Sequence, residues 1–160
     1  MTEDDEIELQ AAQLEQLLPG LARRLFAVDP DHPLADLPVA QLRVCSLLFQ
    51  RGARTMSQVG EELGISLSAV TQLADRLERA GLVARTAESA PGRDRRTKRL
   101  CLTPHGETLM RLRRAARLRR TEQALHRLSG EKRRAVLDVL ETLLDAASTA
   151  TSTPITPKEC

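Results

Sequence analysis

The chain has 160 residues with a formal net charge of +2, is 41% hydrophobic and 29% charged, and holds no Trp, no Tyr and two Phe. That make-up suits one folded domain, or one module with appended helices. The shortage of aromatic rings counts against a surface that stacks unpaired bases. It leaves open the reading of a duplex through its grooves, which needs polar and basic side chains instead.

Charge is segregated along the chain. Residues 1–40 hold nine acids and two arginines, a net of −7, whereas residues 41–121 hold seventeen basic and seven acidic residues, a net of +10. Residues 122–160 return to −1. A basic middle between acidic or neutral ends points to a polyanion-binding module flanked by segments with another task. No apolar run approaches the roughly 20 residues that span a bilayer, and the acidic start MTEDDEIE is unlike a signal or transit peptide. The expected location is the cytoplasm, with no membrane partner.

In chain order, residues 6–28 read as a helix, with Leu14, Leu17, Leu18, Leu21 and Leu25 at three- and four-residue steps. Pro19 and Gly20 are expected to kink or break it. DPDHPLAD (29–36) is a loop. A second helix is predicted from Pro38 to Gln50, with Leu42, Cys45, Leu48 and Phe49 on its apolar face, and Gly52 stopping it. Thr55-x-x-Gln58 has capping-box spacing, so a third helix starts there and ends at Gly64. After Ile65, Ser66 caps a fourth helix running to about Ala80, with Val70, Leu73 and Leu77 as its apolar stripe. The period then changes. Leu82–Thr86 and Thr97–Leu102 are candidate strands around a tip at Ala87–Arg96. Thr103-Pro104 opens a long helix to about Leu128. A last helix begins at Ser129 and carries Val136, Leu137, Leu140, Leu143 and Leu144. From Ser148 the chain is Thr/Ser/Pro-rich and expected to be disordered.

Helix, tight turn, helix and basic hairpin together suggest a DNA reader. A helix-turn-helix places the N-terminal residues of its second helix at base edges in the major groove. Here those are Ser66, Ser68, Thr71 and Gln72. Gln72 can pair bidentately with adenine, and the hydroxyls can reach bases or phosphates. Thr71 and Arg76 can also hold phosphates, as can Arg54 and Thr55 at the start of the third helix. The hairpin packs Arg93, Arg95, Arg96, Lys98 and Arg99 around one acid, Asp94. Folding does not require five cations there, and clustered arginine fits insertion into a narrow minor groove.

Three stretches, TMSQVGEELGI (55–65), GISLSAVTQLADRLERAGLVAR (64–85) and DRRTKRLCLTPHG (94–106), resemble the MarR family, the multiple-antibiotic-resistance regulators. The order of helices matches from about residue 7 to 147, and residues 55–106 are the specific part. The resemblance implies a mainly α fold with a small β-hairpin wing: a winged helix-turn-helix over 38–103, an N-terminal dimerisation helix and loop over 1–37, and C-terminal dimerisation helices over 104–147. It places the family's Asp-x-Arg wing motif on Asp94 and Arg96, with the arginine in the minor groove and the aspartate orienting its neighbours. Arg76 falls at the Asp-Arg-Leu position of the recognition helix. The expected partners are double-stranded DNA, a second copy of the chain, and a small-molecule effector bound among the first, second and fifth helices. With few aromatics there, that cleft should be aliphatic and arginine-bearing. Two departures stand out. The tip AESAPGR is longer than the family's short form, and Gly60 replaces the usual alanine, which loosens that helix.

The arginines of the long fifth helix, among them Arg111, Arg113, Arg114, Arg117, Arg119 and Arg120, read as a solvated face or a second nucleic-acid surface. Cys45, Cys101 and Cys160 show no CxxC spacing, and His32, His105 and His126 add no zinc-ligand pattern. No cofactor is implied. Cys101, beside Arg99, is the redox candidate, while Cys45 on an apolar face should be inert. No nucleophile set, phosphate loop or metal cluster suggests an enzyme. A protein-interaction module and a non-specific architectural DNA binder remain as alternatives. The first has no use for a wing rich in arginine, and the second would bind any duplex equally.

Overall fold

A computed structural model describes residues 2–88 and 97–150. The elements run α1 (Glu3–Phe26), α2 (Val39–Arg51), β1 (Arg54–Thr55), α3 (Met56–Leu63), α4 (Leu67–Arg79), β2 (Val83–Glu88), β3 (Thr97–Leu102), α5 (Pro104–His126) and α6 (Gly130–Ala150). Two compact units are present, one ending at Leu118 and one starting at Arg119.

Within the first unit, α2, α3 and α4 gather their apolar stripes against the sheet. Val44, Val59, Val70, Ala74, Leu77 and Leu100 are completely buried, joined by Leu48, Leu82, Val83, Leu109 and Met110. Burying a Val or Leu side chain contributes about 1.5–3 kcal/mol, so this cluster is what holds the module together. The loop before α2 adds Leu34, whose N–H donates to Nδ1 of His32 at 3.0 Å.

Caps set the helix boundaries. The Thr55 hydroxyl accepts from the Gln58 N–H at 3.2 Å, and Gln58 Oε1 accepts from the Thr55 N–H at 3.0 Å, the reciprocal box expected from the spacing. Gly64 closes α3 with φ +66°, a left-handed conformation that glycine adopts without a Cβ penalty. Thr103 is tied three ways: its N–H donates to Leu82 O at 3.0 Å, its hydroxyl donates to Gly81 O at 2.6 Å, and it accepts from the Gly106 N–H at 3.0 Å. This anchors the start of α5 to the turn after α4.

The sheet departs from expectation. A two-strand hairpin was predicted, but the order is β1-β3-β2, all antiparallel, with β3 in the middle. Two residues are too few to show an alternating pattern, so β1 leaves no periodic signal in sequence. β2 starts at Val83 rather than Leu82 and runs on to Glu88, where it pairs with Thr97, so strand pairing reaches into the segment expected to be the tip. Arg93, Asp94, Arg95 and Arg96 lie outside the described residues.

Two further expectations are corrected. α1 passes through Pro19 as one continuous helix, so of the kink or break expected there the break does not occur. Proline removes one N–H, and the carbonyl left without a donor lies on an exposed helix, where water can satisfy it. In the second unit, α6 continues to Ala150, so residues 148–150 are helical where a disordered tail was expected. The Ser148 hydroxyl donates to Leu144 O at 2.8 Å, a back-bond along the helix that makes serine compatible with it. Residues 151–160 lie outside the described residues.

The terminal helices keep apolar residues in solvent. α1 buries none of its side chains, and Leu17, Leu18 and Leu21 are exposed. On α6, Val136, Leu137, Leu140, Leu143 and Leu144 are exposed. Among the described residues, no helix is long and apolar enough to cross a membrane.

Candidate nucleic-acid interface

The sequence of α4 divides its circumference. Val70, Ala74 and Leu77 point into the core, which leaves Ser66, Ser68, Thr71, Gln72 and Arg76 exposed. Ser66 is the N-cap: its Oγ accepts from the Ala69 N–H at 3.2 Å and lies 3.0 Å from the Ser68 Oγ. The Thr71 hydroxyl donates to Leu67 O at 2.9 Å, which leaves its oxygen lone pairs facing outward as acceptors. The N-terminal half of α4 therefore presents two serines, a threonine and a glutamine on one polar face. The helix N-terminus adds its partial positive charge there, which suits an anionic partner.

The remaining expected contacts are distributed around this face. Thr55 serves as the α3 cap. Arg54 is half-buried and already engaged: its Nε donates to Glu62 Oε1 at 3.1 Å and its Nη1 to Ala53 O at 3.2 Å. Lys98 is exposed on β3, opposite Ala87.

A feature that sequence reasoning missed joins the sheet to α4. Arg85 of β2 donates through Nη2 to Asp75 Oδ1 and through Nη1 to Glu78 Oε2, and its backbone N–H reaches Glu78 Oε1 at 3.4 Å. The hydrogen bond that Arg85 donates to Asp75 is the largest of the causes that raise its pKa above the usual value. The signal was present: Val83 is buried, and Arg85, two residues on, shares its side of the strand. A charge at an inward strand position needs a counter-charge.

A cleft of about 390 Å³ lies on the outer face of α2, lined by Val39, Leu42, Leu47 and Leu63 together with Arg113 and Arg117 of α5. The Nε of Arg113 is buried with no hydrogen-bond partner. Burial, then the nearby Arg117, lowers the Arg113 pKa. Arg117 stacks on Phe26 of α1, 4.2 Å from the ring centroid. The cleft is largely aliphatic and arginine-bearing, but its lining comes from α2, α3 and α5 rather than from the first, second and fifth helices.

Cys45 is buried, and desolvation pushes its thiol pKa up to about 11. Cys101 is partly buried, with Sγ 3.6 Å from Ala84 O. Among the described residues, no three His, Cys, Asp or Glu side chains are grouped as a metal site.

A helix-turn-helix whose second helix shows a polar face, followed directly by an antiparallel hairpin stem, defines a winged helix-turn-helix protein. Residues 35–95 match the MarR family. The chain is 32% identical over 115 residues to the HTH-type transcriptional regulator YfiV of Bacillus subtilis, covering 72% of this chain and 70% of that protein. It is 41% identical over 68 residues to the HTH-type transcriptional repressor MdtR of the same organism, 42% of each chain. Its fold matches the crystal structure of a MarR-like transcriptional regulator from Thermotoga maritima with a TM-score of 0.73, at 26% identity over 86% of this chain and 96% of that one. The chain belongs to the MarR family of DNA-binding transcriptional regulators.

Proposed function

We propose that this regulator is a homodimer that represses transcription from pseudo-palindromic operators and releases them when a small molecule binds. One observation carries the reading: the N-terminal half of α4 exposes Ser66, Ser68, Thr71 and Gln72 while its other side is locked into the core. Two such helices, related by a two-fold axis, enter successive major grooves with half-site centres roughly 10 bp apart. Gln72 reads a base edge, the hydroxyls read bases or phosphates, and Arg76 fixes register on the backbone. The wing residues Arg93, Asp94, Arg95 and Arg96, with Lys98, grip the flanking minor grooves. A phosphate beside Thr55 takes the place of Glu62 on the Arg54 guanidinium.

The second copy is the proposed occupant of the exposed leucines on α1 and on α6, in keeping with terminal segments devoted to dimerisation. Rows of exposed leucine along a helix suit burial against a partner. Repression is the sense supported by MdtR, and occupancy of an operator blocks polymerase. The effector site is the cleft beside α2. Its orphaned Arg113 Nε calls for an acceptor, which an anionic, amphipathic ligand supplies. Such a ligand acts by changing the separation or angle of the two α4 helices, and so the affinity for a fixed half-site spacing.

The test is a titration of the full chain against its own promoter region and against a scrambled duplex, at two salt concentrations, alongside the mass in solution by light scattering. A dimer that prefers the promoter by roughly a thousandfold, and loses that preference on Arg96→Ala, supports the reading. Equal affinity for both duplexes identifies an architectural binder, and binding to neither overturns the DNA-directed role.

A further inference from the structure

We propose that Arg85 is a positioning residue: by clamping Asp75 and Glu78, it holds the wing stem at a fixed angle to the recognition helix, so that wing and helix engage DNA together. The inference rests on the operator-binding reading above.

The geometry is that of a strut between two elements. The planar guanidinium spends separate nitrogens on two carboxylates one helical turn apart on α4, and the Arg85 backbone N–H turns to the same Glu78. A two-point attachment fixes an angle, which a single contact cannot do. The strut sits at the root of the hairpin. Arg85 pairs with Leu100, and three residues further out Glu88 pairs with Thr97. At about 3.3 Å per residue that rung lies about 10 Å beyond the clamp, so a 10° swing at the root displaces it by about 2 Å.

Stability does not explain the arrangement. The side chains of Asp75 and Glu78 are 48% and 42% exposed and that of Arg85 is 25% exposed, and ion pairs that keep this much contact with water add only modestly to folding. Val83, Leu100 and Leu77 already hold sheet and helix together from within the core. The clamp lies outside that cluster and on the wing side of α4.

Two other accounts make the opposite prediction for one variant. If Arg85 only neutralised the two acids, or itself bound a phosphate, removing the acids would tighten DNA binding. If the clamp sets the wing angle, removing them loosens it. The test therefore uses Asp75→Asn combined with Glu78→Gln, beside Arg85→Met and Arg85→Lys, on an operator selected by the wild-type protein from randomised duplexes. The expected result is a loss of roughly tenfold in operator affinity for the double variant and for Arg85→Met, with a smaller loss for Arg85→Lys. Thermal midpoints fall by only a few degrees, as for a partly exposed ion pair, and dimer mass stays at its wild-type value. Hydroxyl-radical protection of the flanking minor grooves fades, while dimethyl-sulfate protection of major-groove guanines persists.

Tighter or unchanged binding by the double variant overturns the inference, as does a uniform loss of both protections. Should Arg85→Met fail to fold, Arg85→Lys and the double variant still decide the matter. Failure of the wild-type protein to select any operator sinks the underlying reading instead, a separate outcome.

Discussion

Gly106 and Leu82 approach so closely that a Cβ on Gly106 would lie 2.1 Å from the Leu82 carbonyl oxygen. That carbonyl already accepts the Thr103 N–H, so it cannot turn aside without undoing the cap of α5. Gly106→Ala should therefore destabilise the fold by about 3 kcal/mol, seen as a fall of on the order of 10 °C in the thermal midpoint. A midpoint within a degree or two of wild type would show that this approach can relax freely.

The side chain of Thr103 contributes through a single hydroxyl with two partners, Gly81 O and the Gly106 N–H. Thr103→Val keeps the shape and removes both bonds, and should lower unfolding free energy in urea by about 1–2 kcal/mol. Thr103→Ser keeps the hydroxyl and should recover most of the loss.

The two described thiols should differ in reactivity. The pKa of Cys45 is raised, so its reactive thiolate is scarce at every pH well below about 11, and its side chain is also shut away from reagent. In a Cys160→Ser background at pH 8, a disulfide reagent should titrate Cys101 in the native protein and Cys45 only after denaturant is added. Rapid release of two equivalents without denaturant would contradict the burial described for Cys45.

Arg113 holds a guanidinium with a buried Nε that has no partner, a desolvated donor that costs stability where it stands. Arg113→Leu should leave the thermal midpoint unchanged or raise it by a few degrees. The same variant should lose any stabilisation that aromatic acids confer on the wild-type protein. Undiminished stabilisation in the variant would remove Arg113 from the effector site.

Much of this fold was legible because its signals are local. The caps at Thr55, Ser66 and Thr103 each act over three residues, and the stripe of Val70, Leu73 and Leu77 lies within two turns of one helix. Leu73 proved only half-buried, with Ala74 taking its place in the core. The polar face of α4 follows from the same periodicity. What escaped is pairing at a distance. β1 exists only because β3, more than forty residues later, completes it. The engagement of Arg54 by Glu62 and of Arg85 by Asp75 and Glu78 depends on how separate elements lie in space. Gly60 shows the same limit: helix propensity alone makes it a loosened position, yet a Cβ there would stand 2.9 Å from Ile65 O, so the turn between α3 and α4 runs close against it.

β3 is paired along both edges at Arg99 and Leu100, with Arg54 and Thr55 on one side and Arg85 and Thr86 on the other. Its first partner strand leads directly into the Thr55 cap of α3, its second follows α4, and its own end runs through Thr103 into α5. One strand thus serves as a crossbar to which the turn before α3, the wing and the long helix are all fastened. Force arriving along the start of α5 reaches the reading head without a slack joint in between. On the proposed reading, a ligand that acts on this module would then turn helix-turn-helix and wing stem together rather than bend one against the other.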